Sequence, residues 1–500
     1  MKNDWTTSHT PHLGKHPADY PNGFLASGRR PLRAMACAGP APGRKALTLF
    51  IAAVLGCTGM LRGAGRYLKV DYPASTVEGE LRIAVTYTLW IPDGVKTCRG
   101  IIVHQHGAGM TASKEGSTAA YDLHWQALAK KWDCVLLGPA YHVLNDGDLG
   151  PAGSDYWFDP RLGSDKAFLK ALDEFATKSG HPELATVPWA VWGHSAGAGW
   201  ADVMSTLHPE RVVAVYYRSG CGFVWTNRPA MYPPFEIPAS SYGIPRMCST
   251  GVKEKGLTQL LQTTYRVYRN QGAPAGFAPD PRTGHECGDS RYFAIPFLDA
   301  CLAKRLPDKW SKDQTLKPVD MSQAWLAPLG GDTAVPAAEY AGKPEESVWL
   351  PNEAVAKAWM EYVKTGAVGD TTPPPAPFDV RVTQAGDQGR EISWDAEADF
   401  ESGIGGFIVM RDGKELAQVP EKPVGKFGRP LFQSMTYHDT PDQPMPKMRF
   451  VDASAKVGEK HAYAVITVNS VGLKSEPATA EPQKDSTPQA PPADGAKATQ

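Results

Sequence analysis

The run Val187-Pro-Trp-Ala-Val-Trp-Gly-His-Ser-Ala-Gly-Ala-Gly199 constrains this chain more than any other stretch. Trp189 to Trp192 is short and apolar, as a buried strand is. Ala196 to Gly199 is a run of small residues that opens an amphipathic helix through Trp200, Val203, Met204 and Leu207. Between them Gly193-His194-Ser195-Ala196-Gly197 is G-x-S-x-G in strand–turn–helix context. The glycines answer a steric demand. A serine between strand and helix sits at a strained backbone position, and side chains at 193 and 197 would collide with the neighbouring elements. The helix start also leaves unpaired N–H groups beside Ser195, where negative charge is stabilised. A bare G-x-S-x-G is also an ordinary Gly/Ser turn; the flanking elements lift it above that.

Five hundred residues exceed one ordinary domain, so two folded units with linkers are expected. An apolar fraction of 42% builds real cores, and a net charge of -1 gives no footprint for nucleic acid. No uninterrupted apolar run reaches the length of a membrane span, so no transmembrane segment is expected. Residues 1–65 read as an N-terminal arm carrying a secretory signal, with Arg44-Lys45 before the apolar run Ala46 to Cys57. Secreted or periplasmic localisation follows. The arm is long and polar for such a signal, and a start at Met35 would give one of normal length. Arg29-Arg30 resembles a twin-arginine signal, but its apolar core lies too far downstream. Val54-Leu55-Gly56-Cys57 resembles a lipoprotein box, which sets a lipid anchor at Cys57 against simple cleavage. Past the signal Cys98, Cys134, Cys221, Cys248, Cys287 and Cys301 remain, an even set that suggests disulfides in an oxidising compartment; buried thiols are the alternative. No C-x-x-C or His-rich spacing suggests zinc, and no metal or cofactor is expected.

Arg66 to Pro92 alternates apolar and polar, an antiparallel hairpin at a sheet edge. Gly100 to Gly109 is a continuous apolar strand ending in His106-Gly107-Ala108-Gly109, where glycines just past its C-terminal end let backbone N–H groups face a ligand. A helix over Tyr121 to Trp132 and a strand Cys134 to Gly138 follow. The loop Pro139 to Ser164 is rich in aromatics, which are either pocket walls or a small satellite core. Tyr141, Trp157 and, from the helix after Ser195, Trp200 are the candidate substrate-binding residues. A helix over Asp165 to Lys178 leads into the Ser195 strand. Strands Val212 to Tyr217 and Pro245 to Thr250, a helix Leu257 to Asn270, a strand near Ala275 to Ala278 and a helix Ser290 to Arg305 complete an alternating pattern. That alternation predicts an α/β unit over 66–308, a mostly parallel sheet with helices on both faces.

Residues 309–370 read as a helical extension or connector, with an amphipathic helix over Glu353 to Thr365 packing back on the first unit. Thr371 to Pro377 is a stiff Pro-rich linker, across which few contacts are expected, each side owning its core. Over 378–480 alternating strands, Phe378 to Thr383, Glu391 to Trp394, Gly406 to Arg411 and His461 to Val468, predict an all-β sandwich. This unit resembles a fibronectin type III domain, with Trp394 on its second strand and Tyr463 like that family's tyrosine corner. The stretch Pro420 to Met448 is longer than that family needs. The tail 481–500 is Pro/Ala/Lys-rich and expected to be disordered.

The order strand–H-G-x-G, Ser195 turn, acid loop, histidine loop resembles the α/β-hydrolase fold over about Arg66 to Asp308, with the Ser195 turn as its nucleophile elbow. The resemblance implies a triad. Thr250-Gly-Val-Lys-Glu254 ends a strand in the family's G-x-x-acid arrangement, with Glu254 where Asp is commoner, and Gly284-His285 lies in a polar loop past the last strand. Ser195 needs a neutral imidazole to take its proton, and the imidazolium needs a carboxylate. Asp280 and Asp289 compete with Glu254 as that acid, or serve as turn and helix-cap residues. The oxyanion hole is expected from the N–H of Ala196 with that of Ala108 or Gly109. His104 and His106 read as loop-ordering residues. In this fold the strands after Cys98 and from Cys134 are neighbours, which implies a disulfide between the two.

Together these features imply an exported serine hydrolase cleaving carboxylic esters. Secreted relatives with an H-G-x-G loop, such as carbohydrate esterases and poly(3-hydroxybutyrate) depolymerases, imply a polymer- or polysaccharide-linked ester, with the C-terminal domain contacting polymer or cell surface. A serine peptidase of prolyl-oligopeptidase type shares the triad but usually carries a propeller, and no blade-length repeat is present. A catalytically dead adhesion protein is the non-enzyme alternative.

Overall fold

The computed structural model describes residues 65–143, 156–222, 236–309, 311, 313–385, 389–423, 425, 429–445, 447–456 and 458–480, all within one compact unit. The expected signal with Cys57, the tail 481–500 and part of the aromatic loop lie outside the described residues.

Eight strands form the central sheet: β1 (Gly65–Tyr72), β2 (Ala84–Pro92), β3 (Gly100–Gln105), β4 (Cys134–His142), β5 (Trp189–His194), β6 (Val212–Arg218), β7 (Arg246–Gly251) and β8 (Ala275–Asp280). Their spatial order is β1-β2-β4-β3-β5-β6-β7-β8. β2 runs antiparallel to both its neighbours, and every other pairing is parallel. The central strands β3, β5, β6 and β7 are buried at every position, because helices cover both faces; hence their unbroken apolar runs. Those helices are α1 (Met110–Gly116), α2 (Leu123–Lys131), α3 (Ser164–Ser179), α4 (Ala196–Leu207), α5 (Lys255–Arg269) and α6 (Arg291–Arg305). The short α1 has no counterpart in the sequence reading. β4 continues four residues beyond the expected Gly138, since β2 goes on pairing with it up to Ala84↔His142 after the β3 pairing has ended at Leu137.

The stretch expected as a helical connector also holds a three-stranded antiparallel sheet, β9 (Trp325–Pro328), β10 (Val335–Pro336) and β11 (Ser347–Leu350), ordered β10-β9-β11. Its helix α7 (Glu353–Thr365) starts at Asn352, whose side chain caps the Val355 amide, and docks on the central sheet through Trp359 Nε1, which donates to the Phe277 carbonyl at 2.8 Å.

Beyond the linker, β12 (Phe378–Gln384), β13 (Arg390–Asp395) and β16 (Arg449–Asp452) form one antiparallel sheet. β14 (Ile404–Arg411), β15 (Lys414–Val419), β17 (Tyr463–Asn469) and β18 (Ala478–Thr479) form another. Trp394, Phe407, Val409 and Val465 fill the core between them. That core is not its own: Leu123 from α2 is buried in it. His124 Nε2 donates to the Phe400 carbonyl at 2.8 Å, and Gln433 bonds the Leu123 amide at 2.9 Å and the Tyr121 carbonyl at 2.8 Å. The expectation of few contacts across the Pro-rich linker is therefore overturned. Gln433, Asp439 and Pro441, within the long stretch between the expected strands, contribute by reaching back to Leu123, Arg291 and Thr118 of the first unit. Among the described residues no helix is long and apolar enough to cross a membrane.

Candidate functional site

Ser195 stands between β5 and α4 with φ 54 and ψ -118, a conformation that side-chain-bearing residues rarely adopt. The turn tolerates no bulk beside it. A Cβ on Gly193 would stand 2.3 Å from the Gly197 carbonyl oxygen, and one on Gly197 would stand 2.4 Å from that of His106. The strain is held by the Ser195 amide donating to the Arg218 carbonyl at 2.8 Å, and by the β3–β5 pairing that sets Gln105 opposite Gly193. That register brings His106-Gly107-Ala108-Gly109 alongside the turn. Ala196 opens α4 and Gly109, at φ 103, precedes α1, so the expected oxyanion donors come from one helix start and one loop on adjacent strands. His106 orders this loop. Its Nδ1 donates to the Gly107 carbonyl at 2.6 Å and its Nε2 accepts from the Tyr141 amide at 3.1 Å; burial lowers its pKa to about 3, which keeps the ring neutral.

The acid and histidine loops leave the adjacent strands β7 and β8 and are bonded together. Val252 N donates to the Asp280 carbonyl and Lys253 N to that of Thr283. Glu254, the residue before α5, places Oε1 2.6 Å from His285 Nδ1. Since a carboxylate accepts, Nδ1 carries the proton and Nε2 is left to act. His285 is one-third exposed, whereas Asp280 is fully buried. Asp280 accepts from the Arg282 amide at 2.9 Å, and Asp289 pairs with the Arg282 guanidinium at 2.8 Å, so both rivals of Glu254 are engaged elsewhere. The Ser195 hydroxyl makes no hydrogen bond to His285 among the described contacts. The two residues are linked through the main chain instead: His194 Nε2 lies 2.7 Å from the His285 carbonyl oxygen.

Two groups at this site are absent from the sequence reading. Arg218, fully buried at the end of β6, donates to Thr283 Oγ1 at 2.7 Å and to the Gly284 and Glu286 carbonyls, spanning His285 from both sides. A charge closing the apolar run Val-Val-Ala-Val-Tyr-Tyr-Arg was its signal. The pair Tyr437 and His438, from the long excursion of the C-terminal unit, is the second. The Tyr437 ring stacks on His285 with centroids 6.4 Å apart, and His438 Nδ1 lies 2.7 Å from His194 Nδ1. A cavity of about 280 Å³ opens beside them, with Glu286, Tyr292, Arg429 and Tyr437 in its wall.

The three expected pocket residues are not walls. Tyr141, Trp157 and Trp200 are buried to 1% exposure or less. Tyr141 and Trp157 stack at 4.4 Å, Ser164 Oγ bonds the Trp157 carbonyl, and Trp200 Nε1 donates to Ser164 Oγ at 3.2 Å. Large rings without a solvent face bury more area than walls would, and all three belong to the main core around the central sheet, not to a satellite one. The expected disulfide is likewise not formed: Cys98 and Cys134 carry separate thiols. The Cys98 sulfur keeps company with His181 and Glu183, while that of Cys134 faces Gly100. Among the described residues two trios could bring ligand atoms within 4.8 Å of one another, Cys98-His181-Glu183 and Asp370-Asp399-Glu401. Protein partners already serve both: Glu183 takes the Cys98 amide at 2.7 Å, and Asn469 Nδ2 reaches Asp370 at 2.9 Å and Asp399 at 3.1 Å. Neither includes a residue of the Ser195 site.

The strand order, the Ser195 turn and the two loops past β7 and β8 together define an α/β-hydrolase fold. Comparison with protein-family models finds no match, and comparison with curated proteins finds none either. Among solved structures the chain is similar to a dienelactone hydrolase from Anabaena variabilis, at 18% identity, 49% of this chain, 100% of that one and a TM-score of 0.32. It is also similar to an S-formylglutathione hydrolase from Agrobacterium tumefaciens, at 14% identity, 48% of this chain, 94% of that one and a TM-score of 0.33. A thermostable esterase aligns at 13% identity and a TM-score of 0.30 over 43% of this chain, which spans 54% of that one.

Proposed function

We propose that the chain is a serine hydrolase that cleaves carboxylic esters through an acyl-enzyme. The observation that carries this reading is the 2.6 Å Glu254–His285 contact beside a serine held at φ 54 between strand and helix. Ser195 Oγ attacks the ester carbonyl while His285 Nε2 takes its proton, and the Glu254 carboxylate holds the Nδ1–H and balances the imidazolium. The amides of Ala196 and of Ala108 or Gly109 bind the oxyanion; each such donor contributes about 3 kcal/mol to the transition state. His285 then gives its proton to the leaving alcohol, and a water activated by the same nitrogen releases the acid.

We read the seven C-terminal strands as a fibronectin type III-like sandwich, supported by Trp394 in its core and by Tyr463 at the start of β17. Export rests on the basic flank and apolar run before Cys57, and export with an appended β domain is the ground for a polymer- or polysaccharide-linked substrate. Turnover of p-nitrophenyl esters from acetate to decanoate, by wild type and Ser195→Ala, tests the central reading. Ser195-dependent turnover is expected. Equal inactivity of both proteins at every chain length would sink it.

A further inference from the structure

His438 belongs to the C-terminal unit and sits in the Ser195 site. Its ring is so close to the oxyanion loop that a Cβ on Gly107 would stand 2.8 Å from its Nδ1 and Cε1, and 3.3 Å from Ser195 Cβ. A tight loop presents it. Thr436 N donates to the Thr440 carbonyl at 2.8 Å, Asp442 N to that of Ser434 at 2.8 Å, and Thr118 Oγ1 to that of Pro441 at 2.5 Å. Asp439, at φ 61, anchors the loop by accepting from Arg291 Nε at 2.8 Å. The Cys287 amide reaches the Tyr437 carbonyl at 3.4 Å, so the histidine loop and this loop are also joined.

The proton positions in this relay are set by its acceptor end. The His285 carbonyl can only accept, so His194 Nε2 donates to it at 2.7 Å. Burial first, then the nearby His438 and His285, hold the His194 pKa well below the usual range, so its ring carries one proton and its Nδ1 is a lone pair. His438 is neutral for the same first reason, its pKa lowered to about 4 by burial and by His285 and His104. Across the 2.7 Å gap, therefore, His438 Nδ1–H is the donor and His194 Nδ1 the acceptor.

We propose that His438 is a positioning residue: its Nδ1–H orients His194, whose Nε2–H holds the His285 main chain, so that a loop of the C-terminal unit sets the base against the nucleophile. This rests on the triad reading above. Displacing a catalytic group by about 1 Å costs up to about 100-fold in rate, which is the scale at stake.

The side-chain amides of asparagine and glutamine separate the donor from the bulk. In His438→Asn the amide nitrogen stands where Nδ1 stands; in His438→Gln it stands where Nε2 stands. With p-nitrophenyl butyrate, His438→Gln should lose about 10- to 100-fold in kcat with little change in KM, and His438→Asn should recover most of it. Loss without rescue by Asn, at matched melting temperatures, overturns the proposal, as does a His438→Gln enzyme with wild-type kcat. Imidazole 15N NMR of the wild type reads the relay without any turnover. A protonated Nδ1 on His438 and a protonated Nε2 on His194 are expected, and the opposite tautomers overturn the relay. Absence of Ser195-dependent turnover, with these tautomers present, would fail the triad reading alone.

Discussion

Arg291 Nε donates to Asp439 at 2.8 Å while its Nη1 and Nη2 grip both oxygens of Asp122, at 3.1 and 2.7 Å, and none of the three side chains is more than 4% exposed. Asp122 is the N-cap of α2, whose oxygen takes the His124 amide. One guanidinium on α6 thus ties the start of α2 to the loop that carries His438. Burial would push Asp439 toward neutrality, but Arg291 and the neighbouring His104 outweigh it and hold the carboxyl below its usual range.

A chain ending at Asp370 should accordingly lose more than a tether. It would leave Arg291 with one carboxylate where it had two, and Leu123 without the core that buries it. Breaking a buried charged pair costs about 3–5 kcal/mol, and exposing a leucine about 2 kcal/mol more. Scanning calorimetry should show a melting temperature lowered by many degrees or no cooperative transition, and small-ester turnover should fall with it. A truncated enzyme that melts and turns over like the full chain would show the two units to be independent after all.

Glu254→Gln keeps the shape of the side chain and can still meet Nδ1 through its amide, but it favours the wrong tautomer and cannot balance an imidazolium. By analogy with serine proteases the loss in kcat should be about 10³- to 10⁴-fold, with the fold unchanged by circular dichroism. Asp280→Asn and Asp289→Asn should leave the pH-independent kcat within the range set by any stability loss, because Asp280 serves the Arg282 amide and Asp289 its guanidinium. Reversal of that ranking would move the acid role to the aspartate concerned.

Much of the frame is legible in the chain because the physics is local. Strands buried on both faces must be apolar throughout, so β3, β5, β6 and β7 stand out as unbroken runs, and the Ser195 turn needs Gly193 and Gly197 whatever lies around it. What failed depends on direction or on distance along the chain. Tyr141 and Trp157 carry the same chemistry whether they face a pocket or each other, and only packing decides. Cys98 and Cys134 lie at the starts of neighbouring strands, yet their sulfurs face Glu183 and Gly100. His438 had no local sign, since the unusual length of Pro420 to Met448 announces an excursion but not its destination. That length was nevertheless the one available clue.

Acid should unfold this protein through its histidines. Burial holds His106 at about 3, His124 at about 4 with help from Arg291, and His438 at about 4, all below the ordinary 6.5. Between pH 6.5 and about 4 the unfolded chain therefore binds protons that the folded chain refuses, so stability is full above 6.5 and is lost as the pH falls. Each histidine adds about 1.4 kcal/mol per pH unit to that slope. His124 isolates one such increment without touching the Ser195 site, because in His124→Gln an amide can still donate to the Phe400 carbonyl. Urea unfolding at pH 7, 6 and 5 should give a wild-type stability that falls with acid and a variant that falls less steeply by about one such increment. Parallel slopes for the two proteins would mean that His124 is not held neutral, and the ring must then be charged against Phe400 in the folded state.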